Sequence, residues 1–124
     1  MGLKILLIED DPLFRRAMTG LLEQRGHEIL WAQDAKGAKH LLKNERGIGL
    51  VILDMMLAGE TTGWSIAEFR KHDEYASKIP LVVMTGADPA EVLKKAQENW
   101  LEGAFLIGKP PNIQKLVKHI ESLE

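Results

Sequence analysis

The stretch Val51-Ile52-Leu53-Asp54 decides the fold, because an apolar run leads directly into one carboxylate and then stops. A continuous apolar run is typical of a strand buried on both faces of a parallel sheet. We therefore expect Asp54 at the carboxyl end of a buried strand, at the rim of the core. Two other stretches share this design, since apolar runs also precede Glu9-Asp10-Asp11 and Lys109-Pro110.

Short apolar runs recur along the chain, and segments with helical periodicity separate them. The runs are Ile5–Ile8, Ile29–Trp31, Leu50–Leu53, Leu81–Met84 and Phe105–Ile107. Strands that alternate with helices predict a parallel sheet with right-handed crossovers, covered on both faces. We therefore expect an α/β protein with a doubly wound, five-stranded (βα)5 fold in a single domain over residues 1–124.

Helix boundaries are marked by capping residues, first-turn prolines and glycines. These markers are Asp11 with Pro12, Gly26, Asp34, Gly63 and Asp88 with Pro89. Apolar periodicity predicts that Ala17 in the first helix and Ile113 in the fifth face the core. The histidines, His27 among them, show no ligand spacing and are expected at the surface.

The composition of the chain limits the kinds of site and partner that it can have. The chain has 124 residues and no cysteine, which excludes disulfides, zinc–thiolate sites and a cysteine nucleophile. With 16 Lys+Arg against 18 Asp+Glu, no basic stripe indicates contact with nucleic acid. No apolar run reaches the roughly 18 residues of a membrane span, so a cytoplasmic domain is expected.

Polar residues at the predicted strand ends should converge, because parallel strands bring their carboxyl ends to one edge. These residues are Glu9, Asp10, Asp54, Thr85 and Lys109. Carboxylates close together repel one another and favour a cation, and oxygen ligands suit Mg²⁺ or Mn²⁺. The first strand leads into acids rather than a glycine-rich phosphate loop, which argues against a dinucleotide or P-loop site.

Such a site suits phosphoryl transfer to Asp54. A carboxylate nucleophile needs charge neutralisation on the phosphoryl oxygens rather than a general base. We expect a metal ion to supply it on one side and Lys109 on the other, with the Thr85 hydroxyl as a hydrogen-bond donor. Gly86 would leave room for a donor or a water molecule to approach.

In order and approximate spacing, the motifs Glu9-Asp10, Asp54, Thr85 and Lys109-Pro110 resemble those of response-regulator receiver domains. This CheY-like family of two-component signalling has a flavodoxin-like fold, and the likeness covers essentially the whole chain. The resemblance implies Mg²⁺-dependent transfer from a phosphohistidine of a histidine kinase or histidine phosphotransfer protein. It also implies a metal-binding main-chain carbonyl at Met56 and a cis Lys109–Pro110 bond.

The resemblance further implies how the signal leaves the site. In the family, the Thr/Ser moves toward the phosphoryl group and an aromatic residue rotates inward. This repacks the face made by the fourth helix, fifth strand and fifth helix, where a homodimer or an output partner could bind. The resemblance implies a signalling domain rather than an enzyme, with no direct contact to nucleic acid or membrane.

The sequence departs from the family pattern at two segments. Ala58 replaces the usual proline, and Gly63 follows Asp54 by nine residues rather than eight, which predicts one extra residue in the loop Met55–Thr62. The segment Gly103–Lys109 is one residue shorter than usual. Leu106 therefore stands where the switch aromatic is expected, with Phe105 one place earlier, and we favour absence of the aromatic switch over a shifted strand.

The two positions that tune loss of the phosphoryl group in the family are Met56 and Ala87. Neither side chain can hydrogen-bond a water molecule, which predicts slow self-dephosphorylation. One alternative is a degenerate receiver that acts as an interaction module without phosphorylation. Another is a haloacid-dehalogenase-type phosphatase, but that family requires an aspartate where Met56 stands.

Overall fold

The sheet has five parallel strands in the order β2-β1-β3-β4-β5. The computed structural model describes residues 2–55, 62–95 and 100–124. The strands are β1 (Lys4–Ile8), β2 (Glu28–Ala32), β3 (Leu50–Asp54), β4 (Leu81–Thr85) and β5 (Phe105–Gly108). The helices are α1 (Pro12–Gln24), α2 (Ala35–Asn44), α3 (Thr62–His72), α4 (Pro89–Lys95) and α5 (Ile113–Ser122). The predicted α/β fold with a five-stranded parallel sheet is confirmed.

Two apolar layers cover the sheet. On one face, the sheet packs against Ala38 and Leu42 of α2, Ile66 of α3 and Val92 of α4. On the other face, it packs against α1 and α5, whose core residues include Met18 and Leu116. The central strand β3 is buried along its whole length because it has a strand on each side and helices on both faces.

Local sequence explains the helix boundaries. The Asp11 side chain accepts hydrogen bonds from the N–H groups of Leu13 and Phe14, and Asp34 accepts one from Gly37. Both caps were predicted. Gly26 follows α1 with φ of 91°, a conformation that glycine adopts without steric cost. None of the described helices combines the length and the apolar character needed to cross a membrane.

Three expectations about burial were wrong. His27 is buried, and its Nδ1 accepts a hydrogen bond from the Leu3 N–H, because the tight turn before β2 directs the ring toward the start of β1. Ala17 is exposed because α1 faces the sheet through Met18 and Leu22. Ile113 is 38 % exposed because it begins α5, one turn before the buried Leu116.

Candidate functional site

Strand register brings the predicted site residues to one edge of the sheet. Ile8 of β1 pairs with Leu53 of β3, so Glu9 and Asp54 follow at the same level. Asp54 pairs with Met84 of β4, which places Thr85 one residue beyond that level. The last pair of β4 and β5 joins Thr85 to Gly108, so Lys109 projects from the same edge.

Lys109 connects two buried carboxylates. Its Nζ lies 2.6 Å from Oδ2 of Asp54 and 2.8 Å from Oε1 of Glu9. Both acids are fully buried, whereas the lysine side chain is 23 % exposed. A buried carboxylate is costly without a cation or hydrogen-bond donors, and the shared ammonium supplies both.

Asp10 adds a third carboxylate. Oxygen atoms of Glu9, Asp10 and Asp54 all lie within 4.8 Å of one another. The second oxygen of Glu9 accepts a hydrogen bond of 3.0 Å from the Asp11 N–H. Three clustered carboxylates form a hard oxygen donor set, so these residues fit Mg²⁺ or a similar divalent ion.

The electrostatics follow from burial and from the shared lysine. Burial raises the pKa of Glu9, and the hydrogen bonds from Lys109 and from the Asp11 N–H offset this only in part. Burial acts to lower the pKa of Lys109, but its hydrogen bonds to Asp54 and Glu9 outweigh that effect and raise the pKa. Lys109 is therefore held as a cation between the two acids.

The end of β4 places hydrogen-bonding groups of Thr85 beside this carboxylate cluster. The Thr85 hydroxyl accepts a hydrogen bond of 3.0 Å from the Ala87 N–H, and the Thr85 carbonyl accepts one of 3.0 Å from the Lys109 N–H. A methyl group at Gly86 would meet no atom of the described residues within 4 Å. The Lys109–Pro110 bond is cis, as the resemblance predicted.

The two candidate switch positions face opposite sides of the sheet. Leu106 packs against the layer of α2, α3 and α4, whereas Phe105 packs against the layer of α1 and α5. The ring of Phe105 stacks on His119 with 3.9 Å between ring centroids. Both residues lie within β5, before Lys109. The predicted metal contact at Met56, and most of the loop with the extra residue, lie outside the described residues.

Sequence reasoning assigned no role to three residues that border the site. The indole N–H of Trp31 donates a hydrogen bond of 2.8 Å to the Glu9 carbonyl. The Arg15 guanidinium lies 3.8 Å from the centroid of the Trp31 ring, and Lys109 Nζ lies 4.8 Å from that of Phe14. The available signal was the position of Trp31 near the end of β2, where it pairs with Leu7, two residues before Glu9.

Comparison with known proteins agrees with the fold. Residues 5–121 match the model of the response regulator receiver domain family. The chain belongs to this family, so the predicted membership is confirmed. Members of the family are the receiver domains of two-component response regulators, and they are signalling domains rather than conventional enzymes.

Individual relatives are distant. The chain is 29 % identical to the phosphate regulon transcriptional regulatory protein PhoB of Pseudomonas aeruginosa over 99 % of the chain and 52 % of PhoB. It is 30 % identical to the sensor histidine kinase AruS of the same species over 93 % of the chain and 11 % of AruS. The chain thus spans about half the length of the first relative and a small part of the second.

A solved structure confirms the fold. The receiver domain of the sensor histidine kinase PA1611 of Pseudomonas aeruginosa was crystallised with a magnesium ion in its active-site cleft. It superposes with a TM-score of 0.78 at 21 % identity, over 99 % of this chain and 98 % of that one.

Proposed function

We propose that this receiver domain accepts a phosphoryl group on Asp54 from a phosphohistidine of a histidine kinase or histidine phosphotransfer protein. The observation that carries the proposal is the position of Lys109, 2.6 Å from Asp54 and 2.8 Å from Glu9. This arrangement surrounds one strand-end carboxylate with a cation on one side and metal-binding acids on the other.

Asp54 would be the nucleophile. A carboxylate oxygen forms the new P–O bond while the P–N bond to the donor imidazole breaks, and the electron pair of that bond stays on the imidazole nitrogen. Asp54 is fully buried beneath its neighbours. For a phosphoryl group to reach it, Lys109 must exchange its contact with the carboxylate for contacts with phosphoryl oxygens. This exchange keeps the ammonium next to the negative charge as the charge moves.

Glu9, Asp10 and Asp54 would hold Mg²⁺, and Mn²⁺ suits the same oxygen donors. The magnesium ion in the PA1611 receiver domain supports this assignment. The ion would supply positive charge for the phosphoryl oxygens. We retain the main-chain carbonyl of Met56 as a proposed fourth protein ligand, although it lies outside the described residues.

Thr85 and Lys109 would bind the phosphoryl group from the side of β4 and β5. The Thr85 hydroxyl accepts a hydrogen bond from the Ala87 N–H, so its own proton is available for a phosphoryl oxygen. Gly86 and Ala87, the two residues after Thr85, are exposed. Because Ala87 cannot hydrogen-bond a water molecule through its side chain, we propose slow self-dephosphorylation.

The output surface would be the face of α4, β5 and α5, through which a homodimer or another partner could bind. Phosphorylation would shift the population between two arrangements of this face. With Leu106 facing the layer of α2, α3 and α4, this chain would transmit the change through an aliphatic side chain rather than a rotating ring.

Intact-mass measurement with acetyl phosphate and Mg²⁺ tests the proposal. The expected result is a mass gain of one phosphoryl group, which disappears in Asp54→Asn and on addition of EDTA. Asp73→Asn, a substitution at the start of the segment after α3, is the matched control and should still be modified. No mass gain with acetyl phosphate or with a phosphohistidine donor would indicate a degenerate receiver, and sustained turnover of phosphate esters would indicate a phosphatase.

A further inference from the structure

Both the main-chain N–H and the main-chain carbonyl of Glu9 are hydrogen-bonded to residues at the end of β2. Its N–H donates a hydrogen bond of 2.9 Å to the Ala32 carbonyl, which continues the pairing of β1 with β2. Its carbonyl accepts the hydrogen bond of 2.8 Å from the Trp31 indole N–H. An indole N–H therefore supplies a bond beyond the last backbone pair of the two strands.

The Trp31 ring is itself held in place. The Arg15 guanidinium lies 3.8 Å from the ring centroid, and Arg15 belongs to α1, the helix that follows the acidic turn. The turn Glu9-Asp10-Asp11 connects β1 to α1, and the Trp31 side chain of β2 contacts both the start of this turn and α1. Trp31 is 38 % exposed, so the position of its side chain does not result from deep burial.

The hydrogen bond from Trp31 restrains a turn whose carboxylates repel one another and the carboxylate of Asp54. Oxygen atoms of Glu9, Asp10 and Asp54 lie within 4.8 Å, and repulsion among these carboxylates favours opening of the turn when no divalent ion is bound. Within the described part of the chain, Lys109 hydrogen-bonds to Glu9 and Asp54 but not to Asp10. The main chain before Asp10 is therefore the part of the turn that the Trp31 bond restrains.

We propose that Trp31 is a positioning residue for the metal site, which holds the Glu9–Asp10 peptide so that both carboxylates face Asp54 before the ion binds. This inference rests on the proposed function, since it concerns the same metal site. A preorganised turn loses less conformational freedom when the ion binds. Residues that hydrogen-bond to metal ligands generally hold those ligands in position in this way. An indole that only covered the edge of β2 would leave metal affinity unchanged when its N–H is removed.

Isothermal titration of Mg²⁺ into the wild-type protein and Trp31→Phe tests the inference. Phenylalanine keeps an aromatic face for Arg15 but removes the donor to the Glu9 carbonyl. The expected result is a Kd for Mg²⁺ that rises about three- to tenfold, the effect of losing one hydrogen bond. Thermal unfolding in EDTA, compared with unfolding in saturating Mg²⁺, separates a change in metal affinity from a general loss of stability.

Trp100→Phe is the matched control. The Trp100 Nε1 is buried and has no hydrogen-bond partner within the described part of the chain, so its removal should leave the Kd for Mg²⁺ unchanged. If the wild-type protein does not bind Mg²⁺, the proposed metal-dependent function fails. If it binds Mg²⁺ and Trp31→Phe binds equally well, only the role of Trp31 is overturned.

A measurement on the wild-type protein decides the question if Trp31→Phe does not fold. In a ¹H–¹⁵N NMR spectrum, Mg²⁺ should shift the indole N–H resonance of Trp31, because the Glu9 carbonyl belongs to the metal-binding turn. The indole resonance of Trp100 should not shift. Saturation with Mg²⁺ without any change at Trp31 would overturn the inference.

Discussion

The Nζ atom of Lys109 lies 2.6 Å from Oδ2 of Asp54, although the two residues are 55 positions apart in the sequence. The same ammonium lies 2.8 Å from Glu9. A single lysine thus stabilises two buried acids at the place where a divalent ion would bind. We therefore expect Lys109 and such an ion to compete for the charge of the same two carboxylates.

Replacing Lys109 with methionine should increase the affinity for Mg²⁺ by about tenfold, because the substitution removes a competing positive charge beside the ion. In EDTA the variant should unfold at a lower temperature than the wild type, since two buried acids lose their cation. Titration calorimetry and thermal unfolding measure the two effects. Lys118→Met, at an exposed position of α5, is the control. Unchanged or weaker Mg²⁺ binding by Lys109→Met would contradict the competition.

Gly63 should tolerate no side chain. A Cβ atom there would lie 2.7 Å from Cα and 2.8 Å from the carbonyl oxygen of Met55, the residue after Asp54. Gly63→Ala should therefore lower the free energy of unfolding by about 1–3 kcal/mol and slow phosphorylation by acetyl phosphate.

Gly20 offers a control for this substitution. It lies within α1, and a Cβ atom there meets no described atom within 4 Å. Gly20→Ala should stabilise the protein by about 0.5–1 kcal/mol, because alanine favours the helix over the unfolded chain. Urea unfolding of both variants measures the pair, and equal stability changes would refute the proposed steric conflict at Gly63.

Substitution of Ile52 tests how much the central strand β3 contributes to stability. It is fully buried in the layer that also contains Leu7 and Val82. Ile52→Ala should cost about 2–5 kcal/mol in the free energy of unfolding, as cavities in well-packed cores do. Leu13→Ala removes a side chain that is 74 % exposed and should change stability by less than about 0.5 kcal/mol. Similar losses in urea unfolding for both variants would show that β3 is not the centre of the core.

Stability should decrease in mild acid because of His119. Burial lowers the pKa of His119 below its ordinary value of 6.5, so the unfolded chain takes up a proton at a higher pH than the folded chain does. The contribution of His119 to stability is therefore complete above pH 6.5 and decreases as the pH falls below that value. Urea unfolding at about pH 7.5 and pH 5.5 measures the decrease. His119→Gln should show a smaller decrease, and an equal one would assign the effect to other groups.

The fold was predictable because its main determinants are local. The continuous apolar run before Asp54 is typical of a strand covered on both faces, and the caps at Asp11 and Asp34 act within three residues of their own positions. The convergence of Glu9, Asp54 and Lys109 then follows from parallel pairing. These features needed no knowledge of distant side-chain contacts.

The remaining features depend on distances that the sequence does not encode. The buried ring of His27 is hydrogen-bonded by the Leu3 N–H, and Trp31 contacts Glu9 because β2 lies beside β1. Periodicity indicates which residues are apolar, but it does not indicate which side of the sheet Phe105 and Leu106 face. That assignment required the register of β5 against β4.

The hydrogen bond from the Lys109 N–H to the Thr85 carbonyl has a mechanical consequence. It joins the ends of β4 and β5 at the two residues proposed to contact the phosphoryl group. Thr85 therefore cannot be displaced toward Asp54 without carrying the backbone of Lys109 with it, unless this bond breaks. We therefore expect the main chains of the two residues to move together, so that a substitution that alters the displacement of one also alters that of the other.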